Sequence, residues 1–201
     1  MPSSHAQRPA PEQDDSTPHP ALPLSTEIPT SVVNHLRASE YQQAIDVLRT
    51  LARTPLRQHT LGVCALRLGR FEEAVTIFSR LCLSPGSVMM RSDVDDVLQI
   101  NYATAILLSG APSGAMEILQ GLHDPSDGPA VALRLAVANW VSGLPWWRRL
   151  DWKLNRIDPP HASVPLPFAP GVFPFAVKPV SPPGPESAGR RARPAAPDLA
   201  A

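Results

Sequence analysis

Where the prolines fall constrains this chain more than any other feature. Of 25 in 201 residues, seven lie in residues 1–30, twelve in 159–201 and only six in the 128 residues between. Proline fixes φ and lacks a backbone donor, so long regular elements belong where it is scarce. The pattern predicts one folded domain over residues 28–157, long enough to bury a core of its own. Residues 1–27 read as a disordered polar tail, 158–180 as an extended Pro/Phe-rich segment and 181–201 as a low-complexity tail.

Charge excludes one class of partner. The 18 basic and 18 acidic residues divide as −3 over residues 1–30, +1 over 31–158 and +2 over 159–201. None of these is the dense basic face that nucleic-acid binding needs. The N-terminal residues lack the basic start and apolar run of a secretory signal, and no apolar run reaches the length of a membrane span. The expected setting is cytoplasmic. Cys64 and Cys82 sit inside helical patterns and are expected to be reduced, buried thiols.

Between the tails the periodicity is helical throughout. Tyr41, Ala44, Ile45, Leu48 and Leu51 recur at helical spacing, as do Phe71, Ala74, Val75, Phe78, Leu81 and Cys82, and then Ala115, Ile118, Leu119 and Leu122. Breakers separate the runs at Thr54-Pro55, Ser84-Pro85-Gly86, Gly110-Ala111-Pro112, Asp124-Pro125 and Gly143-Leu144-Pro145. Ser92 or Asp93 is placed to cap a helix beginning near Val94.

Three windows share a finer pattern. After a small or glycine turn residue, an alanine follows five positions later (Ala44, Ala74, Ala115), and a bulky residue four beyond that (Leu48, Phe78, Leu119). Antiparallel helices on a short turn need these parts: a residue that tolerates positive φ, a small residue at the close crossing, and a large one a turn later.

The segment LGVCALRLGRFEEAVTIF at 61–78 resembles a tetratricopeptide repeat, with Leu61-Gly62, Gly69, Phe71, Ala74 and Phe78 at that family's signature positions. The match is weaker at 25–54 and 96–123, and weakest at 129–157, where Arg148 stands at the small-residue position. The alanine-to-alanine steps, 30 and 41 residues, straddle the family period of about 34. The resemblance implies an all-α fold, a short irregular α-solenoid of three to four helix-turn-helix repeats, with disordered Pro-rich tails. A compact helical bundle with one true repeat is the alternative.

No catalytic or metal constellation stands out: no HExxH, CxxC, GxSxG or phosphate-binding glycine loop. Asp93-Val94-Asp95-Asp96 resembles half a calcium loop without its glycine and closing glutamate, and capping is its expected role. The chain is expected not to be an enzyme and to need no cofactor.

In the implied solenoid the first helix of each pair lines a concave face. Its groove positions are His59, Val63, Arg67, Ile100, Asn101, Thr104, Leu133, Arg134, Val137 and Trp140. In members that capture a C-terminal carboxylate, five groove positions supply Lys, Asn and Arg. Asn101 and Arg134 match two of them, while His59, Val63 and Ala130 stand at the others.

The helix predicted over 144–157 is the other informative segment. Trp146, Trp147, Leu150, Leu154 and Ile157 share one 100° stripe, and Trp152 lies opposite, among Arg148, Arg149 and Arg156. The stripe is expected to cap the open end of the domain. The other reading is a membrane-surface helix, with Trp146, Trp147, Arg148, Arg149 and Trp152 as the interface. Beyond it, Val164–Val177 carries prolines that forbid a helix and four large apolar residues, Leu166, Phe168, Phe173 and Phe175. This segment is expected to dock in cis near the tryptophan helix, or else to be a linear motif for another protein. The function expected is that of an adaptor that binds another protein's peptide or helix through His59, Val63, Arg67, Asn101, Thr104, Arg134 and Trp140. The alternative is a peripheral membrane protein using helix 146–156 and the Phe-rich tail.

Overall fold

Three turns in the chain share one backbone conformation. Ser39, Gly69 and Gly110 have φ of 59°, 73° and 97°, each five residues before one of the repeated alanines. At each, the chain reverses between two helices that then cross closely. Ala44, Ala74 and Ala115 are fully buried, and so are Phe78 and Leu119 a turn later. Gly62 faces Phe78 where their two helices cross. A Cβ there would lie 2.6 Å from the Phe78 ring, so only glycine lets that ring seat against the helix.

In a computed structural model that describes residues 28–177, eight helices follow one another. They are α1 (Thr30–Arg37), α2 (Tyr41–Thr50), α3 (Pro55–Arg67), α4 (Phe71–Cys82), α5 (Asp96–Leu108), α6 (Pro112–Gln120), α7 (Gly128–Ser142) and α8 (Trp146–Asn155). The expectations for 1–27 and 181–201 lie outside the described residues. Among the described residues the fold is all-helical, with one isolated antiparallel bridge, Leu83 to Met90, inside the α4–α5 loop.

Helix starts follow from local chemistry. The Thr54 hydroxyl accepts from Arg57 N and Pro55 opens α3. The cap of α5 is Asp95, whose carboxylate accepts from Leu98 N at 2.7 Å. This corrects the expectation of Ser92 or Asp93. Asp93 instead pairs with Arg91, and the helix begins at Asp96, two residues later than the expected start near Val94. Asp96 accepts from the backbone N–H of His123 and of Asp124, which ties the α6–α7 connection to the start of α5.

Consecutive helices pack in order from α1 to α7, and α3 also touches α5, and α5 touches α7. The apolar interior is correspondingly divided into three clusters in series. The first joins α1, α2 and α3 around Ile45, Leu48 and Cys64. The second joins α3, α4 and α5 around Leu66, Phe78 and Ala105. The third joins α5, α6, α7 and α8 around Leu107, Leu119, Leu133 and Trp152. Cys64 and Cys82 are free and buried, and burial pushes both thiols up to about 12.

A groove occupied by the chain's own strap

The faces of α3, α5 and α7 turn their side chains toward one strip of surface, and residues 158–177 lie along it. The strap starts at Asp158. Its carboxylate accepts from Ser113 N at 3.0 Å, from the Ser113 hydroxyl at 2.5 Å and from Trp152 Nε1 at 3.0 Å, joining the end of α8 to the start of α6. The chain then crosses the α5–α6 turn, where a Cβ on Gly110 would stand 3.3 Å from the Ala162 carbonyl. Val164 is buried in the third cluster, and Leu166 and Phe168 pack on it. Phe173 packs against the second and first clusters, and Phe175 and Val177 against the first.

The strap therefore runs back from the last helix pair to the first. Fourteen residues in an extended proline-rich conformation cover about 40 Å, enough for that path. The segment docks in cis, beginning beside α8 as expected, where Val164 shares a cluster with Trp152, and continuing along the row of first helices. The proline spacing forbade a helix; it did not say how far the extended chain would travel.

At the centre of the path the strap is held by its backbone. Asn101 is fully buried on α5. Its Oδ1 accepts from Val172 N at 2.7 Å, and its Nδ2 donates to Val172 O at 2.7 Å. The second Nδ2 hydrogen goes to His59 Nε2 at 2.6 Å. The amide group thus has every proton placed, and His59 must be neutral to accept. Burial lowers the His59 pKa to about 4 against the opposing field of Asp95, which keeps that acceptor in place. The imidazole also packs edge-on against Phe78, 5.9 Å between ring centres.

On either side of this pair the groove reads shape. Gly171 has φ 82°, and a Cβ there would stand 3.0 Å from Leu66 Cδ1 and 3.1 Å from Val63 Cγ1. Arg67 donates from Nη2 to the Gly171 carbonyl at 2.9 Å and lays its guanidinium 5.9 Å from the Phe173 ring centre. Two residues of strap backbone are thereby bound by three side-chain hydrogen bonds from α3 and α5, and the next side chain by a cation–π contact.

Of the seven groove residues expected from sequence, the structure gathers His59, Val63, Arg67 and Asn101 under Gly171–Phe173. Thr104 lies deeper, with its hydroxyl donated to the Ile100 carbonyl within α5. Trp140 stands at the far end, edge-on to Trp152 at 6.3 Å, in a cleft of about 630 Å³ shared with Leu166, Pro167 and Phe168. Arg134 is placed elsewhere. Its guanidinium donates to the carbonyls of Leu119 and Pro125, closing the C-terminal end of α6. Unpaired helix carbonyls attract a cation, so this arginine serves a helix end and not the strip that holds the strap. Asn101 and Arg134, which match two of the family's clamp positions, therefore serve different places in the fold.

The tryptophan helix is turned the other way from the expected cap. Trp152 is the buried residue, and Trp146, Trp147, Leu150, Leu154 and Ile157 are exposed. Arg149 donates to the Ser142 and Leu144 carbonyls, Arg156 lies 5.1 Å from the Trp152 ring centre, and Arg148 lies 4.4 Å from that of Trp147. The side carrying Arg149, Arg156 and Trp152 faces α7, while Arg148 sits beside the exposed Trp147. Among the described residues no helix is long and apolar enough to cross a membrane. The Phe-rich segment lies along the groove, packed on the helical clusters.

Sequence reasoning missed the residues that make the strap a ligand: Gly171, Val172 and Asp158. A glycine between two phenylalanine-bearing, proline-flanked stretches was the signal that could have found them. Compared with protein-family models, curated proteins and solved structures, the chain matches none.

Proposed function

We propose that this protein is an interaction module, a short α-solenoid similar to tetratricopeptide proteins, whose groove binds an extended peptide of a partner and holds the chain's own strap until that partner arrives. The observation that carries this reading is the two-way pairing of Asn101 with the backbone of Val172. An amide that bonds both backbone groups of one residue recognises extended chain whatever its side chain. Selectivity then comes from the neighbours: a position without Cβ against Leu66 and Val63, and an aromatic ring under Arg67.

A strap on the same chain competes at a high effective concentration, on the order of millimolar. An external peptide therefore binds weakly unless the strap is released. Gly171→Val in the full chain supplies the release, because the new side chain collides with Leu66 and Val63 at a positive φ. A fluorescein-labelled peptide of residues 164–177 should bind the Gly171→Val chain at least about tenfold more tightly than wild type. Adding Asn101→Ala should abolish that gain. If the strap-released chain ignores the peptide, the groove is structural packing and not a binding site.

A further inference from the structure

We propose that the outward face of α8 is a docking surface for an anionic lipid bilayer. Trp146 is 76% and Leu154 71% exposed, and Trp147, Leu150 and Ile157 are about half exposed. At 100° per residue the four that lie on the helix, Trp146, Trp147, Leu150 and Leu154, fall within one 100° stripe, and Ile157 follows beyond the left-handed Arg156; Trp152, the residue that anchors the helix, points about 170° away from the stripe's centre. Scattered exposed apolar residues are ordinary, but a contiguous stripe with two tryptophans marks an interaction surface.

Three kinds of occupant can be weighed. The rest of this chain offers little to cover the stripe. Residues 1–27 contain Met1, Leu22 and Leu24 as their only large aliphatic side chains, and residues 178–201 only Val180 and Leu199. The latter segment also carries four basic residues against two acidic ones, the same sign as the helix. A second copy meeting this face about a two-fold axis would bring the helix against itself. Residues 146–156 carry four basic residues against Asp151, and of these Arg148 and Lys153 border the stripe, so that contact brings like charges together.

An anionic bilayer suits both features. The stripe enters the acyl boundary, and the indoles keep their N–H groups at the headgroup level. Lys153 adjoins the stripe and is exposed, and Arg148 lies on the Trp147 ring, so their stems can follow the apolar surface while the charges reach lipid phosphates. This site is separate from the groove: neither Asn101 nor the strap contributes to it.

The test uses the full chain with vesicles of phosphatidylcholine alone and of phosphatidylcholine with about one-third phosphatidylglycerol, read by co-sedimentation and tryptophan emission. Binding is expected on the anionic vesicles with a blue shift, and it should weaken as salt screens the headgroups. Trp146→Ser/Trp147→Ser should reduce binding at least about tenfold and remove the shift, with an unchanged melting temperature because both residues are exposed. Val88→Ser/Met89→Ser, which removes exposed apolar side chains from the α4–α5 loop, should bind vesicles as wild type does. Three results would overturn the proposal: no sedimentation with anionic vesicles, undiminished binding by the double variant, or a dimer in solution that the double variant dissolves. Strong protection of Trp146 and Trp147 from acrylamide in the lipid-free chain would overturn it as well, because the face would already be covered.

Discussion

The side chain of Asn101 and the backbone of Val172, 71 residues apart, exchange two hydrogen bonds of 2.7 Å each. Asn101 and His59 are buried and Val172 is half-buried, so water replaces only part of what a substitution removes.

Asn101→Ala should therefore cost more than one ordinary hydrogen bond. It leaves the Val172 N–H, the Val172 carbonyl and His59 Nε2 without partners, and a loss of about 2–4 kcal/mol is expected. Urea unfolding measures it. Cleavage by a nonspecific protease between residues 163 and 177 should accelerate in the same variant. A change below about 0.5 kcal/mol would show that the strap is not held here.

Gly171→Ala and Gly86→Ala make a matched pair. Both glycines have positive φ, 82° and 72°, but a Cβ on Gly86 meets nothing within 4 Å, whereas one on Gly171 presses on Leu66 and Val63. The backbone term alone should cost about 1–2 kcal/mol at Gly86. Gly171→Ala should exceed it, and only Gly171→Ala should loosen the strap in a proteolysis assay. Equal losses at the two sites would mean that the groove relaxes around the methyl group.

Stability should fall on mild acidification through His59. Its pKa is about 4 in the folded chain and 6.5 as the ordinary value, so the unfolded chain takes up a proton first. The neutral-imidazole contribution is complete above pH 6.5 and is lost as pH falls towards 4. At pH 5 the loss is about 2 kcal/mol relative to pH 7. His59→Gln removes this component, and unfolding at the two pH values, wild type against variant, checks it. An identical pH dependence in both proteins would exclude His59 as the cause.

Gly62→Ala should destabilise the α3–α4 pair by about 1–3 kcal/mol, because the methyl group lies inside the contact distance of the Phe78 ring. Combining it with Phe78→Leu should cost less than the sum of the two single changes, a coupling that a double-mutant cycle measures directly.

Elements held by local rules are legible in the amino-acid order itself. Ser39, Gly69 and Gly110 announce the turns, and Ala44, Ala74 and Ala115 the close crossings, because both depend on residues a few positions apart. The cap of α5 falls on Asp95 and not on the expected Ser92 or Asp93 because several acidic residues in a four-residue run compete for one helix start, and local sequence does not rank them. Asn101 follows from helical register. Its occupant does not, since no periodicity connects it to Val172.

Arg134 and α8 show the other limit. An arginine at a groove register can reach along its flexible stem to the carbonyls of Leu119 and Pro125, and register alone does not choose between them. On α8 the amphipathic pattern named two faces correctly, yet it could not say which one packs. Periodicity records that two sides differ. Which side meets the core depends on what the neighbouring helix offers, and here α7 offers Trp140 to Trp152, while Asp158 accepts the indole hydrogen. The sequence by itself determined the helices, their turns and an extended segment that must find apolar cover, because backbone sterics and hydrophobic spacing act within a few residues. Only the tertiary structure decided that this cover is the chain's own groove and that the tryptophan stripe faces outward, because both are settled by contacts between residues far apart in the chain.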